Sequence, residues 1–171
     1  MGPFEEIRTA RIVLRRWRPE DRPLFAALCA DPEVMEHFPS TLSASEADTW
    51  ADAVEVHFDE HGYGLWAVEV AGQFAGFTGL RWSELLGQQE LEVGWRLARW
   101  AWGRGYATEA ARSALEVGIE VNGSVASWTA ATNERSWHVM ERLGMHRERA
   151  FDHPRVPEGH VLRRHYLYRT P

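Results

Sequence analysis
One cysteine, Cys29, is the only thiol in a chain of 171 residues. No internal disulfide can form, and so low a count fits a reducing compartment. Long apolar runs are missing too, so no stretch reaches the length needed to cross a bilayer. The opening Met1-Gly2-Pro3-Phe4-Glu5-Glu6 lacks the basic region and apolar core of a secretory signal. A cytoplasmic protein without membrane attachment is therefore expected. Positive charge is not in excess: 19 basic against 25 acidic residues leave a net charge of −6. With a pI near 5.8, no overall field draws the chain to a polyanion, and nucleic acid is not an expected partner. The local clusters Arg15-Arg16-Trp17-Arg18 and Arg163-Arg164-His165 read as solvated faces of strands. Repeats, low-complexity tracts and linkers are absent, and no metal centre is expected.

What the chain does have is core-forming material. Hydrophobic residues make up 44% and tryptophan occurs nine times, enough for one well-filled core but not two. A single domain over 1–171 is expected. Ile7 to Trp17 reads as a first strand, and Pro19-Glu20-Asp21 starts a helix through Ala30. A second helical region is expected after Asp31-Pro32. Ser43 or Ser45 should cap a longer helix that Gly62-Tyr63-Gly64 breaks. Leu65–Val70 and 73–82 should form a hairpin about Ala71-Gly72. A strand through Glu92 to Leu97 comes next, then a helix with Ala107, Ala111, Ala114, Leu115 and Ile119 as its apolar stripe. The stretch 124–132 reads as a strand. A helix from Asn133 to about Gly144 follows it, with 145–151 and 161–168 as closing strands. The pattern is α/β (α+β), with a central mixed, mostly antiparallel sheet of about seven strands flanked by helices. Cys29 shares a helical pattern with Leu24, Phe25 and Leu28 and is expected to be buried and inert. Asn122-Gly123-Ser124 is expected to be a turn.

The chemically informative stretch is Glu92-Val93-Gly94-Trp95-Arg96-Leu97 followed by Trp102-Gly103-Arg104-Gly105-Tyr106-Ala107-Thr108-Glu109-Ala110. A strand runs into a glycine-bearing turn that opens a helix. The glycines leave backbone N–H groups unobstructed, and the helix start adds free N–H groups and the positive end of its dipole. This is a receptor for phosphate oxygens. It is not a dinucleotide fingerprint, because Thr108 stands where a third glycine or alanine belongs. Nor is it a triphosphate loop, which needs Gly-Lys before Ser or Thr.

The remaining form, x-x-x-Gly-x-Ala over 102–107 leading into Thr-Glu-Ala, resembles the pyrophosphate loop of the GNAT (GCN-five-related N-acetyltransferase) superfamily. It is most similar to the branch of ribosomal-protein N-terminal acetyltransferases. The resemblance continues in Asn133-x-x-Ser136, a short helix and Leu143-Gly144-Met145. Thr9 to Arg15, Pro19-Glu20-Asp21 and Asp31-Pro32-Glu33-Val34 resemble the opening of the same branch. It implies a GNAT-like fold and acetyl-coenzyme A as acyl donor. It also implies an N-acetyltransferase acting on a primary amine: a peptide or protein N-terminus, or a small amine such as a polyamine or aminoglycoside. A catalytically weak acyl-coenzyme A sensor or assembly subunit is the alternative; on either reading the protein is expected to be a monomer or a homodimer. The cofactor contacts so implied are Trp95, Arg96, Leu97, Trp102, Gly103, Arg104, Gly105, Tyr106, Ala107, Thr108, Asn133 and Ser136.

Two residues are candidates for chemistry. Glu92, on the strand before the loop, is either a base for the amine or the partner of Arg81 or Arg96 in holding strands. Asp152, His153, His160 and His165 are its rivals if the closing loop folds over the substrate. The family commonly places a tyrosine four residues before the closing glycine, as proton donor to the leaving thiolate. Here that position is Met140, and His138 falls on another helical face. Ser136 is then the candidate donor, or else a helix cap or a contact to the pantetheine arm. Trp102 stands where many relatives carry Gln or Arg, which should alter packing more than phosphate binding.

Overall fold
A computed structural model describes residues 4–171. In chain order it contains β1 (Glu6–Arg8), β2 (Ile12–Arg15), α1 (Asp21–Ala30), α2 (Ala44–His61), β3 (Leu65–Val70), β4 (Gln73–Leu85) and β5 (Gln88–Leu97). A short 3-10 turn (Arg99–Ala101) leads to α3 (Tyr106–Asn122), β6 (Ala126–Ala130), α4 (Glu134–Arg142), β7 (His146–Asp152) and β8 (Arg164–Arg169). The strands form one eight-stranded sheet in the order β1-β2-β3-β4-β5-β6-β8-β7. Every neighbouring pair is antiparallel except β5 and β6.

The expected first strand divides in two, which raises the count to eight. Thr9 N–H donates to the Ile12 carbonyl at 2.9 Å, and the Ile12 N–H returns a bond to Thr9 Oγ1 at 3.0 Å. This turn folds β1 back on β2. The stretch after Asp31-Pro32 is not a helix but a series of turns, with Met35 N–H donating to Asp31 O and Phe38 N–H to Met35 O. Prolines at both ends deny it continuous helical pairing. Ser43 is the cap of α2: its Oγ accepts from Glu46 N–H while the Glu46 carboxylate accepts from Ser43 N–H, a complete capping box.

The two sheet faces are packed differently. On one, Trp17, Phe25, Trp50 and Phe77 form a cluster against α1 and α2, with Phe25 and Trp50 stacked at 4.9 Å. On the other, α3 lies close to the sheet because its buried stripe is Ala110, Ala111, Ala114, Leu115, Val117 and Gly118. That stripe is rotated from the expected one: Ile119 is exposed and Ala107 only half-buried. Leu24 is likewise exposed, while Cys29 is fully buried with Phe25 and Leu28.

Arg15 corrects the expectation of a solvated arginine face. It is buried and donates to both Asp21 oxygens at 2.7 and 3.0 Å, and its Nε donates to Glu69 at 2.8 Å. These bonds hold its guanidinium above its ordinary pKa despite burial. Arg16 pairs with Asp59 and Arg18 with Glu69, and Arg163 and Arg164 with Asp152.

The one parallel pairing positions the site. β5 meets β6 in register only at Glu92 and Ala126, with Ser127 Oγ donating to the Val93 carbonyl at 2.8 Å. Beyond that point the strands part. No helix among the described residues is long and apolar enough to cross a membrane.

Candidate functional site
A cleft of about 760 Å³ opens where β5 and β6 diverge. β5 lines it from Glu92 through Leu97 and β6 from Ser127 through Ala130. The turn and helix start contribute Trp102, Gly103, Gly105, Tyr106, Ala107 and Thr108, and α4 contributes Ser136, His138, Val139 and Met140, with Asn133 at its cap. Of the expected cofactor contacts, Arg104 alone falls outside this lining. It is exposed, and its carbonyl accepts from Arg11 Nη1 at 2.9 Å.

The loop has the geometry of an anion receptor. Gly103 and Gly105 have φ of +70° and +79°, conformations that cost other residues about 1–2 kcal/mol. The N–H groups of residues 103–108 have no partner among the described residues, so the loop presents a run of orphan donors at the start of α3. A coenzyme diphosphate fits that donor set. The loop is clamped from behind: Glu109, in the first turn of α3, accepts from Thr9 Oγ1 at 2.6 Å, Arg11 N–H at 3.1 Å and Arg11 Nε at 2.7 Å. Burial opposes the charge on Glu109, but these bonds win and hold its pKa below the usual carboxylate range. The Arg11 guanidinium also stacks over Tyr106 at 4.8 Å.

Register fixes which side chains share a face. Glu92 pairs with Arg81 and Arg96 with Phe77, so Glu92, Gly94 and Arg96 lie on the α1–α2 face, opposite α3. Glu92 is buried, and its Oε2 accepts from Arg81 Nε at 2.9 Å and Ser83 Oγ at 2.7 Å. The carboxylate therefore has the strand-holding pairing with Arg81, and it also lines the cleft. Arg96 Nη1 donates to Cys29 Sγ at 3.2 Å, and its guanidinium lies 4.3 Å from the Phe38 ring and 5.4 Å from Phe77.

Asn133 caps α4 by accepting from Ser136 N–H at 3.3 Å, while its Nδ2 donates to Thr129 Oγ1 at 3.0 Å. Ser136 is half-buried in the cleft, with no side-chain hydrogen bond among the described residues. Met140 is fully buried beside it. His138, placed by periodicity on a different face, nonetheless reaches the cleft's edge, its Nδ1 3.2 Å from Glu141.

Two of Glu92's rivals also line the cleft. His165 Nδ1 is 3.2 Å from the Arg163 carbonyl, which can only accept, so Nδ1 carries the proton and Nε2 is the free base. His153 has the opposite tautomer, because its Nδ1 accepts from Arg155 N–H at 3.2 Å. The two rings lie 4.8 Å apart, and burial lowers both pKa values. Asp152 and His160 are outside the lining: Asp152 pairs with Arg163 and Arg164, and His160 Nδ1 accepts from Leu162 N–H at 3.1 Å.

The segment between α1 and α2, expected as a helix among those before Gly62 that line the acceptor site, lines the cleft as a series of turns. Residues 31–39 strap the mouth of the cleft with Glu33, Val34, His37, Phe38 and Pro39. Arg99 holds Asp31 at 2.8 Å and Glu33 at 2.7 Å; Arg135 reaches Glu36 at 3.5 Å while stacking over Trp102 at 4.2 Å. The Arg11–Glu109 clamp had no signal in the sequence, since its members are 98 positions apart.

Comparison with known proteins agrees with this geometry. A family profile described as Acetyltransferase (GNAT) domain matches residues 11–146. YkkB, an uncharacterized protein of Bacillus subtilis (strain 168), is 32% identical over 151 residues, 85% of this chain and 88% of YkkB. Among crystal structures, an acetyltransferase from Agrobacterium tumefaciens superposes with a TM-score of 0.80 at 22% identity, covering 100% of this chain and 96% of that one. A GNAT-family acetyltransferase from Bacillus anthracis gives 0.78 at 22% identity, covering 96% of both chains. RimL, a ribosomal α-N-protein acetyltransferase, gives 0.78 at 15% identity, covering 96% and 93%. These structures share the fold.

Proposed function
The chain belongs to the GNAT acetyltransferase family, and on that premise we propose that it moves an acetyl group from acetyl-coenzyme A directly to a primary amine in a ternary complex. The observation that carries this reading is the cleft itself. Orphan loop amides lie at one end, polar groups lie on the opposite sheet face, and the gap between β5 and β6 connects them.

The thioester supplies an activated acetyl group, so the protein's part is to bind, orient and manage protons. Residues 103–108 hold the diphosphate through N–H groups. The edge of β5 at Trp95, Arg96 and Leu97, freed where β6 departs, offers backbone groups to the pantetheine arm. The amine nitrogen must arrive neutral to attack the carbonyl carbon; it then loses a proton as the carbon–sulfur bond breaks, and the sulfur gains one. Glu92 accepts the amine's proton, through water, with Arg81 and Ser83 fixing the carboxylate. Ser136 donates to the sulfur, since Met140 has no proton to give. A second base is favoured by one observation: the tautomer of His165 leaves Nε2 unprotonated.

Kinetics separate these roles. A peptide α-amine has a pKa of about 8 and a lysine amine about 10, so kcat/KM rises with pH. Glu92→Gln is expected to remove the acidic limb that remains after the amine's own titration. An unchanged rate and profile would pass the role to His165. Ser136→Ala is expected to lower kcat by roughly tenfold or more with little change in the KM for acetyl-coenzyme A. If KM alone moves, Ser136 is a binding residue. The activity is tested by incubating the protein with radiolabelled acetyl-coenzyme A and a panel of peptide N-termini and small amines. Label in an amine supports the enzyme. Coenzyme binding without label in any amine supports a sensor.

A further inference from the structure
Arg96 is a cation with no anion. Its Nε is shielded from solvent and has no hydrogen-bond partner, and Cys29 Sγ, a weak acceptor, is its one hydrogen-bond partner among the described residues. A guanidinium carries five N–H donors in a planar fork, and leaving even the shielded Nε donor unmet is costly. Arg81 is matched with Glu92, Arg99 with Asp31 and Glu33, and Arg135 with Glu36; Arg142 and Arg155 also line the cleft, but both are exposed to water. Cys29 does not balance the charge, since burial pushes its thiol pKa up and keeps it neutral.

The surroundings preorganise this cation instead of neutralising it. Phe38 and Phe77 hold the guanidinium through their rings at 4.3 and 5.4 Å. Such a setting fixes the fork while adding no carboxylate. The coenzyme phosphates do not explain it, because the loop that would hold them opens α3 on the opposite face of the sheet. Arg96 shares its face with Glu92 and lines the same cleft under the α1–α2 strap.

We propose that Arg96 is the acceptor-recognition residue, and that the amine acetylated here carries an anionic group, a carboxylate being the natural match, which the Arg96 fork binds on the α1–α2 side of the cleft. This rests on the acetyltransferase reading and narrows it: polyamines and aminoglycosides, which bring further positive charge, would meet a half-buried arginine with no carboxylate partner. Free amino acids, acidic peptides and other amino-carboxylates would satisfy it.

The test uses matched pairs, each an amine with a free carboxylate and the same amine as its carboxamide. With wild-type protein and radiolabelled acetyl-coenzyme A, kcat/KM should favour the carboxylate by about tenfold to a hundredfold, the range for a charge-assisted hydrogen bond. In Arg96→Gln the preference should collapse toward one, chiefly through the carboxylate member, and Arg96→Lys should restore part of it. Calorimetry on protein saturated with coenzyme A gives a readout independent of turnover. Carboxylates should bind more tightly than carboxamides, and Arg96→Gln should abolish the difference. That result with no acetylation would sink the catalytic reading and leave the anion site standing. Equal handling of both members by wild-type protein in turnover and in binding would overturn the proposal, even if Arg96→Gln did not fold. So would an Arg96→Gln loss that fell on coenzyme A affinity and not on the pair.

Discussion

Asn133 uses both halves of its amide inside the protein, capping α4 with the oxygen and holding Thr129 with the nitrogen. Asn133→Ala is therefore expected to cost about 1 kcal/mol of stability, measured as a shift in the urea midpoint, with any loss of coenzyme affinity secondary. Strong loss of affinity at unchanged stability would make it a ligand residue instead. At this scale the sequence was legible wherever a residue's role is local. Asn133 and Ser43 follow capping chemistry, and Gly103 and Gly105 follow from the backbone conformation their turn requires. It was opaque where the role depends on a distant partner. Arg81 was one of the two strand-holding partners expected for Glu92, but nothing near Glu92 in sequence says that Ser83 holds the same oxygen. Nothing near Arg96 says that Cys29 and Phe38 meet it from α1 and the strap.

Helix α2 carries an element-scale consequence. His57 sits half-buried with His61 at a ring separation of 4.4 Å, and its Nε2 has no partner. Burial, then His61 and Arg81, pull its pKa down to about 4 from an ordinary value of 6.5. The unfolded chain then binds more protons than the native one between those values, so the contribution is complete above pH 6.5 and lost as the pH falls toward 4. Allowing for partial exposure, the loss is about 1–2 kcal/mol. Denaturation across pH 4 to 7 should show it, and His57→Phe should flatten that limb; an unchanged slope would place the titration elsewhere. Among the elements, α1, α2, α3 and the β3–β4 hairpin were legible because caps, turn residues and periodicity agree in them. The β1–β2 hairpin was not, since the alternation runs straight through the turn at Thr9. The strap at 31–39 was misread as a helix because its apolar spacing is helical while its prolines and outward ion pairs are not.

At the scale of the whole molecule, function depends on where one parallel pairing stops. β5 and β6 meet at Glu92 and Ala126 and then diverge, and the glycine loop before α3 and the Glu92–Arg96 face of β5 flank that gap. The sequence placed the loop, the strand and the α4 cap in the right order; the gap itself is a property of strand pairing and could not be read from it. The loop's role in holding coenzyme A is the claim on which the rest depends. Gly105 tests it most directly, because its φ is +79° and an added Cβ would lie 3.4 Å from Arg11 Nη2. Calorimetric titration of coenzyme A into wild-type protein should give micromolar affinity. A Gly105→Val variant shown to be folded by its circular dichroism should bind at least about a hundredfold more weakly, since the branched side chain both strains the turn and crowds the diphosphate. Equal affinity in the two proteins would contradict the account.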